Sequence, residues 1–532
     1  MTSSNGPAAD ATAVVTELNL VTLNCWGLLH ISAHRAARLA EIGRQLARLK
    51  PSPHIVCLQE CWTQHDYRAI RRETRLVLPY GKFYHSGAFG GGLAILSRWP
   101  IDDSSMFRYP LNGRPTAFWR GDWYVGKGVA YASIRFGPGK NDVIDVFNTH
   151  THAPYEKGPD SSYVCHRTAQ AWEVAKLLRA AADRGHLVLA LGDFNMLPLS
   201  LAHRIITAHA PVRDVWRVLH PDSSLGPTTH PAEAARARPA PTVGFNLREN
   251  GATSDSIYNT WEWTKNRDNR RRAAAMSTPL PLVDMDAVDP RGKRLDYIFA
   301  SSGDLSSGSA WVVKSACVNM TERHPSLHVS LSDHFAVSAT LHRHTSPPKP
   351  SLLPGTTPRS PAIDDSALRS GAYLAPNSPA NSINNTSTID ADTADYDSQL
   401  QYFKRRQDAG GSSPMSPALY DQVLTMIHKY TAREVSQRYW RGLHFQVAVM
   451  VWLACLIGVW FSPFHYVSFI LMLVSSLGLV AGTIDGLLAL LFFSSELRAL
   501  KEFEWEIRNA KAIASGDPAG LIESDVDSAD DC

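Results

Sequence analysis

The chain of 532 residues is long enough for three or four domains, or for one large domain with appendages. Its 53 Lys and Arg stand against 50 Asp and Glu, a balance too even for a nucleic-acid coat or a polyanion sponge, so any basic patch is local. Seven scattered cysteines, odd in number and without a second pair to match Cys57 and Cys61, argue against a disulfide scaffold and a structural zinc.

Residues 1–16 are Ser/Ala-rich, with no basic segment ahead of an apolar run. They read as a disordered N-terminus without a signal peptide, which fits a reducing compartment. Over residues 17–343 short apolar runs alternate with helical periodicity. Strands are expected at 18–24, 54–59, 91–97, 129–136, 143–150, 187–193, 295–300, 312–320 and 336–341. Helices are expected at 35–50, 63–78 and 164–183, the last with Ala171, Val174, Ala175 and Leu178 on one apolar face. Many strands with a few covering helices predict a two-sheet α/β sandwich.

Residues 344–418 are rich in Ser, Thr, Pro and Asn, a composition that buries too little apolar surface to offset chain entropy, and a disordered linker is expected. An amphipathic juxtamembrane helix follows at 419–444, where Lys429, Arg433, Arg438 and Arg441 lead into an apolar run at 445–461. As a helix that run measures about 26 Å, just enough for a bilayer core of about 30 Å. A second apolar run covers 467–493, so that 445–493 predicts a hairpin of two transmembrane helices, ahead of a tail at 494–532. Basic residues flank both outer ends, Arg498 and Lys501 on the tail side, which places body and tail on the cytoplasmic face. Gly478, Gly482 and Gly486 offer a close-packing face for self-association through the hairpin, and Asp485 should face a partner helix or the headgroup edge.

Four short segments each put a polar residue at the end of an apolar strand: Leu23-Asn24-Cys25-Trp26-Gly27, Leu58-Gln59-Glu60-Cys61-Trp62, Leu191-Gly192-Asp193-Phe194-Asn195 and Leu331-Ser332-Asp333-His334-Phe335. Taken singly, such a residue is usually a turn former or a helix cap. With Asn148-Thr149-His150 and Arg294-Leu295-Asp296-Tyr297 they make six segments in order over about 18–341, and the set resembles the metal-dependent DNase I-like phosphodiesterase superfamily. The resemblance implies Glu60 as the carboxylate for Mg²⁺, a hard cation that neutralises a phosphodiester. It implies Asn24 and Asn195 as uncharged holders of metal water or phosphate oxygen, and Asp193 as the residue that orients the attacking water. His334 becomes the general base, steadied by Asp296, and His150 the second His, which stabilises the phosphorane or protonates the leaving oxygen. Asp333 either supports the metal or shapes the turn, and His152, on the same alternating face as His150, is the less favoured candidate for a place in the site, with a core or neighbouring-site role as the alternative.

The run from Asn148 to Tyr155, the Arg167-x-x-Gln170-Ala171-Trp172 segment and Gly192-Asp193-Phe194-Asn195-Met196-x-Pro198 look like neutral sphingomyelinases. Followed by two C-terminal spans, they are similar to the fungal inositol phosphosphingolipid phospholipases C. That likeness implies a sphingolipid substrate in a membrane, ceramide and a phosphorylated headgroup as products, and activation by anionic phospholipids. It implies the endoplasmic reticulum, the mitochondrial outer membrane or the plasma membrane as the location. Inositol phosphate is the favoured headgroup, with sphingomyelin or a lyso-phospholipid as the alternative. Gly121 to Lys127 fits phosphate-loop spacing, but Gly128 stands where nucleotide binders need Ser or Thr, which excludes ATP. The segment resembles the P-loop-like element of these phospholipases, in which Asp122 and Lys127 would switch between each other and the active site; the alternative is a glycine-rich hairpin with a surface ion pair.

A basic run, Lys265, Arg267, Arg270, Arg271 and Arg272 with Arg291, Lys293 and Arg294 beyond, reads as a solvated loop or a contact for anionic headgroups. Residues 221–289 carry no assignable role. Nucleic acid is not an expected partner, since the hairpin and the even charge disfavour a nuclease. An inositol-polyphosphate phosphatase would carry a Trp-Cys-Asp-Arg run near Asp296, and intact Glu60, Asp193, Asn195 and His334 disfavour an inert scaffold.

Overall fold

The computed structural model describes residues 15–155, 163–265, 282–304, 309–345 and 415–515. Residues 1–14, nearly all of the expected linker, the basic run at 267–272 and the tail beyond 515 lie outside the described residues. The chain divides into two units, residues 1–391 and 392–532.

In the first unit the strands run β1 (Glu17–Asn24), β2 (Ile55–Gln59), β3 (Tyr80–Tyr84), β4 (Leu93–Ser97), β5 (Ile101–Arg108), β6 (Gly128–Arg135), β7 (Val143–His150), β8 (Leu187–Asp193), β9 (Arg213–Asp214), β10 (Asp296–Ala300), β11 (Ser309–Asn319) and β12 (Ala336–Thr345). They form two six-stranded sheets, ordered β11-β12-β1-β2-β4-β3 and β5-β6-β7-β8-β10-β9. Only β1 with β2 and β7 with β8 pair in parallel, so both sheets are mixed and the expected two-sheet sandwich is present. Helices α1 (Arg35–Arg48) and α2 (Gln64–Thr74) cover the outer face of the first sheet. A one-turn α3 (Asp122–Val125), then α4 (Val164–Ala182) and α5 (Leu201–His209) belong to the second half.

Side-chain alternation explains where the core lies and where it ends. Leu18 and Leu20 of β1, Ile55 and Cys57 of β2, Ile144 and Val146 of β7, Leu187, Leu189 and Leu191 of β8, and Ile298 and Ala300 of β10 share one buried cluster between the sheets. Val21, Leu23, Val56 and Leu58 point the other way and pack with Leu39, Ile42, Leu46 and Ile70 of the helices. Continuing the period of two along the inner faces reaches Asn24, Gln59, Asn148, His150, Asp193 and Asp296. Each inner face is apolar along its length and turns polar at one end, and all those ends gather on one side of the sandwich.

Three strands were not expected. The β5 strand (IDDSSMFR) is a half-exposed edge strand that pairs only with β6, and its charges blunt the edge at the cost of the apolar pattern. The β3 strand is also an edge, and β9 has only two residues. The basic run is partly corrected as well. Arg294 is buried and makes a bidentate pair with Asp214 at 2.9 and 2.8 Å, with its guanidinium 4.4 Å from the Tyr297 ring. Lys293 pairs with Asp255 and Arg291 with Glu262.

In the second unit one unbroken helix runs Pro417–Trp460, and after a short turn another runs His465–Leu487, continuing through a π-helical turn into Ser494–Ser515. Both are long and apolar enough to cross a membrane, and only 6% and 11% of their most apolar windows are buried by protein, unlike the core helices of a soluble domain. The apolar stripe of the first helix before the span, Leu419, Tyr420, Val423, Ile427 and Tyr430, is buried, as are Leu500, Phe503 and Ile507 of the tail helix packed along it. Asp485 faces the first helix as expected, paired with Arg441 and, at 2.7 Å, with His444. Gly482 and Gly486 admit Ala448 and Phe445 at distances a Cβ would close to 2.4 and 2.7 Å, so they pack within the hairpin, whereas Gly478 faces open space.

Breaking the Arg294–Asp214 pair leaves a buried carboxylate without its strongest partner. Arg294→Met should therefore cost about 3 kcal/mol, read as a fall in Tm of the first unit, while Lys293→Met at the partly exposed pair should cost well under about 1 kcal/mol.

Candidate active site

The polar strand ends meet in a geometry set by register. β7 runs parallel to β8 with His150 beside Asp193, and β10 runs antiparallel with Asp296 beside Asp193 on the other side. His150, Asp193 and Asp296 therefore form a row across three strands. On the facing sheet Asn24 lies beside Gln59 at the ends of parallel β1 and β2, and Glu60 follows immediately. Gly192 makes the row possible: its Cβ would sit 2.0 Å from the Thr149 carbonyl oxygen, at a φ of 153°.

Asn24 joins the two sheets. Its Nδ2 donates to Glu60 Oε1 at 3.1 Å and to Asp193 Oδ2 at 3.0 Å, while its Oδ1 accepts from the Trp26 amide. His334 enters from the loop before β12, with Nδ1 2.8 Å from Asp296 Oδ2 and Nε2 4.0 Å from Asp193 Oδ2. His150 Nε2 lies 3.5 Å from the same Asp193 oxygen. Asn195 donates its backbone N–H to Asp193 Oδ1 and its side-chain amide to the Thr151 carbonyl. Glu60, Asn195 and Trp26 adopt left-handed backbone angles, φ 52°, 45° and 47°, a strain that non-glycine residues hold where surrounding structure imposes it.

Electrostatics separate the groups. Burial pushes the Glu60 carboxyl up to about 7, with the charge of Asp333 adding to it and the Asn24 hydrogen bond opposing. Burial likewise raises Asp193 to about 6 against the pull of His334. Burial alone would lower His334, but the carboxylates of Asp296 and Asp193 outweigh it and hold the imidazole well above its usual value. His150 goes the other way, driven well down by burial and by the charge of Lys127, and is neutral at pH 7.

Two donor sets could receive a metal. Asp193, Asp296 and His334 offer ligand atoms within 4.8 Å of one another. Glu60 offers a buried Oε2 with no hydrogen-bond partner among the described residues, on a carboxyl that a nearby cation would relieve. His334 Nδ1 already engages Asp296 Oδ2, and although Asp296 Oδ1 is as unpartnered as Glu60 Oε2 among the described residues, the raised carboxyl of Glu60 beside Asn24 is the better fit for a hard divalent cation. Among the described residues Asp333 makes a long 3.5 Å contact with Ser332, and its charge acts on Glu60, Arg38 and His334.

Lys127 and Asp122 are both buried, at 6% and 4% exposure, which rules out a surface ion pair. They pair at 3.1 Å, and Lys127 also donates to the Thr151 carbonyl that receives Asn195, so the pair abuts the site. His152 belongs to this neighbouring cluster, 3.4 Å from Asp122, with Tyr155 donating to the same carboxylate at 2.7 Å.

Three supports carry no signal in the amino-acid pattern. Gln59 donates to Asn148 Oδ1 at 2.7 Å, and Asn148 in turn donates to the Leu58 and Ala94 carbonyls, tying the sheets beneath Glu60. Arg38, on α1, is buried against Trp26 and Trp261 and donates to the carbonyls of Cys25, Trp26, Ala33 and Leu331. Ser332 donates to the Asn24 carbonyl at 2.5 Å, joining the His334 loop to β1.

The model of the Endonuclease/Exonuclease/phosphatase family matches residues 21–334. The chain is 45% identical over 325 residues to the Inositol phosphosphingolipids phospholipase C of Schizosaccharomyces pombe, covering 61% of this chain and 68% of that protein. It is 31% identical over 516 residues to the protein of the same name from Saccharomyces cerevisiae, covering 93% and 90%. To Sphingomyelin phosphodiesterase 2 of Homo sapiens it is 30% identical over 352 residues, covering 65% and 70%. Together with the two mixed sheets and the polar strand ends, these likenesses make the chain a member of the Endonuclease/Exonuclease/phosphatase family, in the branch that holds the inositol phosphosphingolipids phospholipases C and the sphingomyelin phosphodiesterases.

Proposed function

We propose that the protein is a membrane-anchored sphingolipid phospholipase C that uses Mg²⁺ to hydrolyse inositol phosphosphingolipids to ceramide and a phosphorylated headgroup. The observation that carries the reading is the joining of Glu60 and Asp193 by one amide, Asn24, with His150 and His334 at 3.5 and 4.0 Å from Asp193 and Asp296 bonded to His334, in a chain 31% identical over nearly its whole length to a phospholipase of that name. A divalent cation held by Glu60 would neutralise the phosphodiester and offset the carboxylate charge around the site. Asp193, fixed by the Asn195 amide, orients the attacking water. His334 takes its proton through Nε2, held in that tautomer by the 2.8 Å bond from Nδ1 to Asp296. His150 stabilises the phosphorane or protonates the ceramide oxygen as its bond to phosphorus breaks, Asn195 holds a phosphate oxygen, and Lys127 exchanges Asp122 for the site. A second reading, hydrolysis of sphingomyelin or a lyso-phospholipid, is supported by the 30% identity to Sphingomyelin phosphodiesterase 2.

The flanking cations favour a cytosolic body and tail, on the endoplasmic reticulum, the mitochondrial outer membrane or the plasma membrane, and an enzyme stimulated by anionic phospholipids. With Gly482 and Gly486 taken up inside the hairpin, self-association through this face would fall to Gly478. Lipid products from inositol phosphoceramide and from sphingomyelin, with and without Mg²⁺, decide the substrate. Headgroup release from neither would end the proposal.

Asp193→Ala and His334→Ala should each lower turnover roughly 10²- to 10⁴-fold, and the double variant should lose little more because the two act as a unit. Asp296→Asn should also slow turnover and shift the rising limb of the pH–rate profile to lower pH. The sign follows from His334: the limb reports its deprotonation, and removing a carboxylate that stabilises the imidazolium lowers its pKa.

For the cation, Mg²⁺ added to chelator-treated protein should raise Tm, because binding to the folded state alone stabilises it. Glu60→Gln should abolish that rise and increase the Mg²⁺ needed for half-maximal turnover by at least about tenfold.

A further inference from the structure

Beside the Asp122–Lys127 pair lies an aromatic surface for which the reaction has no use. Phe89 is 55% exposed, Phe118 52%, Trp119 96% and Trp123 42%. The rings form one connected ledge. Tyr124 sits at its centre, 5.7 Å from Phe89, 5.2 Å from Phe118 and 5.0 Å from Trp123, and Trp119 extends from Phe118 at 5.5 Å.

The ledge is fixed in place. Tyr124 donates its hydroxyl to the Pro115 carbonyl and accepts the Phe89 amide at its own carbonyl, and Gly87 packs so tightly on residues 124–126 that a Cβ would meet them at 2.6–2.7 Å. Large rings left in water on an anchored backbone keep their apolar surface available to a partner at reduced entropic cost, which suits a surface made to bind. The stretch that carries most of the ledge is basic. From Arg108 to Lys127 the chain carries Arg108, Arg114, Arg120 and Lys127 against Asp122 alone, and Asp122 is turned inward onto Lys127. Arg120 lies over the Tyr155 and Tyr163 rings at 4.9 Å, so the cations border the aromatics.

Tryptophan and tyrosine beside arginine is the composition of the membrane–water interface, where an amphipathic ring sits at headgroup depth and cations meet anionic lipid. The same chain carries two helices apolar enough to span a bilayer. We propose that Phe89, Phe118, Trp119 and Trp123 dock into the headgroup layer of an anionic bilayer and hold the mouth of the site against the lipid surface. This inference rests on the phospholipase reading and names the contact that reading needs, since a sphingolipid phosphodiester must pass from bilayer to catalytic cleft.

The test uses full-length protein reconstituted in phosphatidylcholine vesicles with about one-fifth phosphatidylserine. Wild type, Trp119→Ala and Phe118→Ala/Trp119→Ala are assayed on long-chain inositol phosphoceramide in the vesicles and on a water-soluble short-chain analogue with the same headgroup. The variants should lose on the order of tenfold on vesicles and keep short-chain turnover within about twofold. Lipids brominated near the headgroup should quench more tryptophan emission in wild type than in Trp119→Ala. Equal losses on both substrates, no difference in quenching, or dissociation of an oligomer by the variants would overturn the docking inference. If wild type cleaves neither substrate, the phospholipase reading falls instead, and the quenching difference still decides whether the ledge meets lipid.

Discussion

One amide holds two like charges together at the centre of this fold. The two protons of Asn24 Nδ2 are shared between a carboxylate from each sheet, Glu60 and Asp193, and Asp296 and Asp333 add further negative charge nearby. Packing so many acids into a poorly solvated cleft is costly, and the raised pKa values of Glu60 and Asp193 express that cost. The site is thus prepared for positive charge, and its residues lie where charge, not shape alone, selects what enters.

Support for that arrangement comes from buried polar side chains rather than from more apolar packing. The Gln59–Asn148 pair fixes the sheets to each other just below the cleft, and Arg38 gathers four carbonyls from three separate segments. Burial lowers the Arg38 guanidinium to about 10, yet it remains charged at any physiological pH, so its hold on the Trp26 and Leu331 loops does not vary with acidity. Arg294 does the same for the start of β10, two residues before Asp296. Fixed donors on fixed backbone keep reorganisation small when a reaction moves charge.

Much of this was readable beforehand because a period of two has a parity. Leu18, Leu20 and Asn24 share a face, as do Leu187, Leu189, Leu191 and Asp193, so the polar residue at the end of each apolar alternation had to join the interior. What could not be read was anything that depends on distant partners. Edge strands such as β5 exchange apolar pattern for charge, and strand order is set by contacts far apart in sequence. Arg38 looks like any solvated helical arginine until three loops fold over it. Arg294 and Lys293 read as part of a surface run because a string of cations gives no sign of which carboxylates will pair with it.

The row of His150, Asp193 and Asp296 also constrains how such a chain can change over time. Substitutions along β7, β8 and β10 alter packing by degrees, but a single residue gained or lost inside any of them would turn that strand's polar end from the cleft to the helix side. Length variation is therefore confined to the connections between strands, and the number of residues in each of these three strands is as much a part of the site as the side chains it carries.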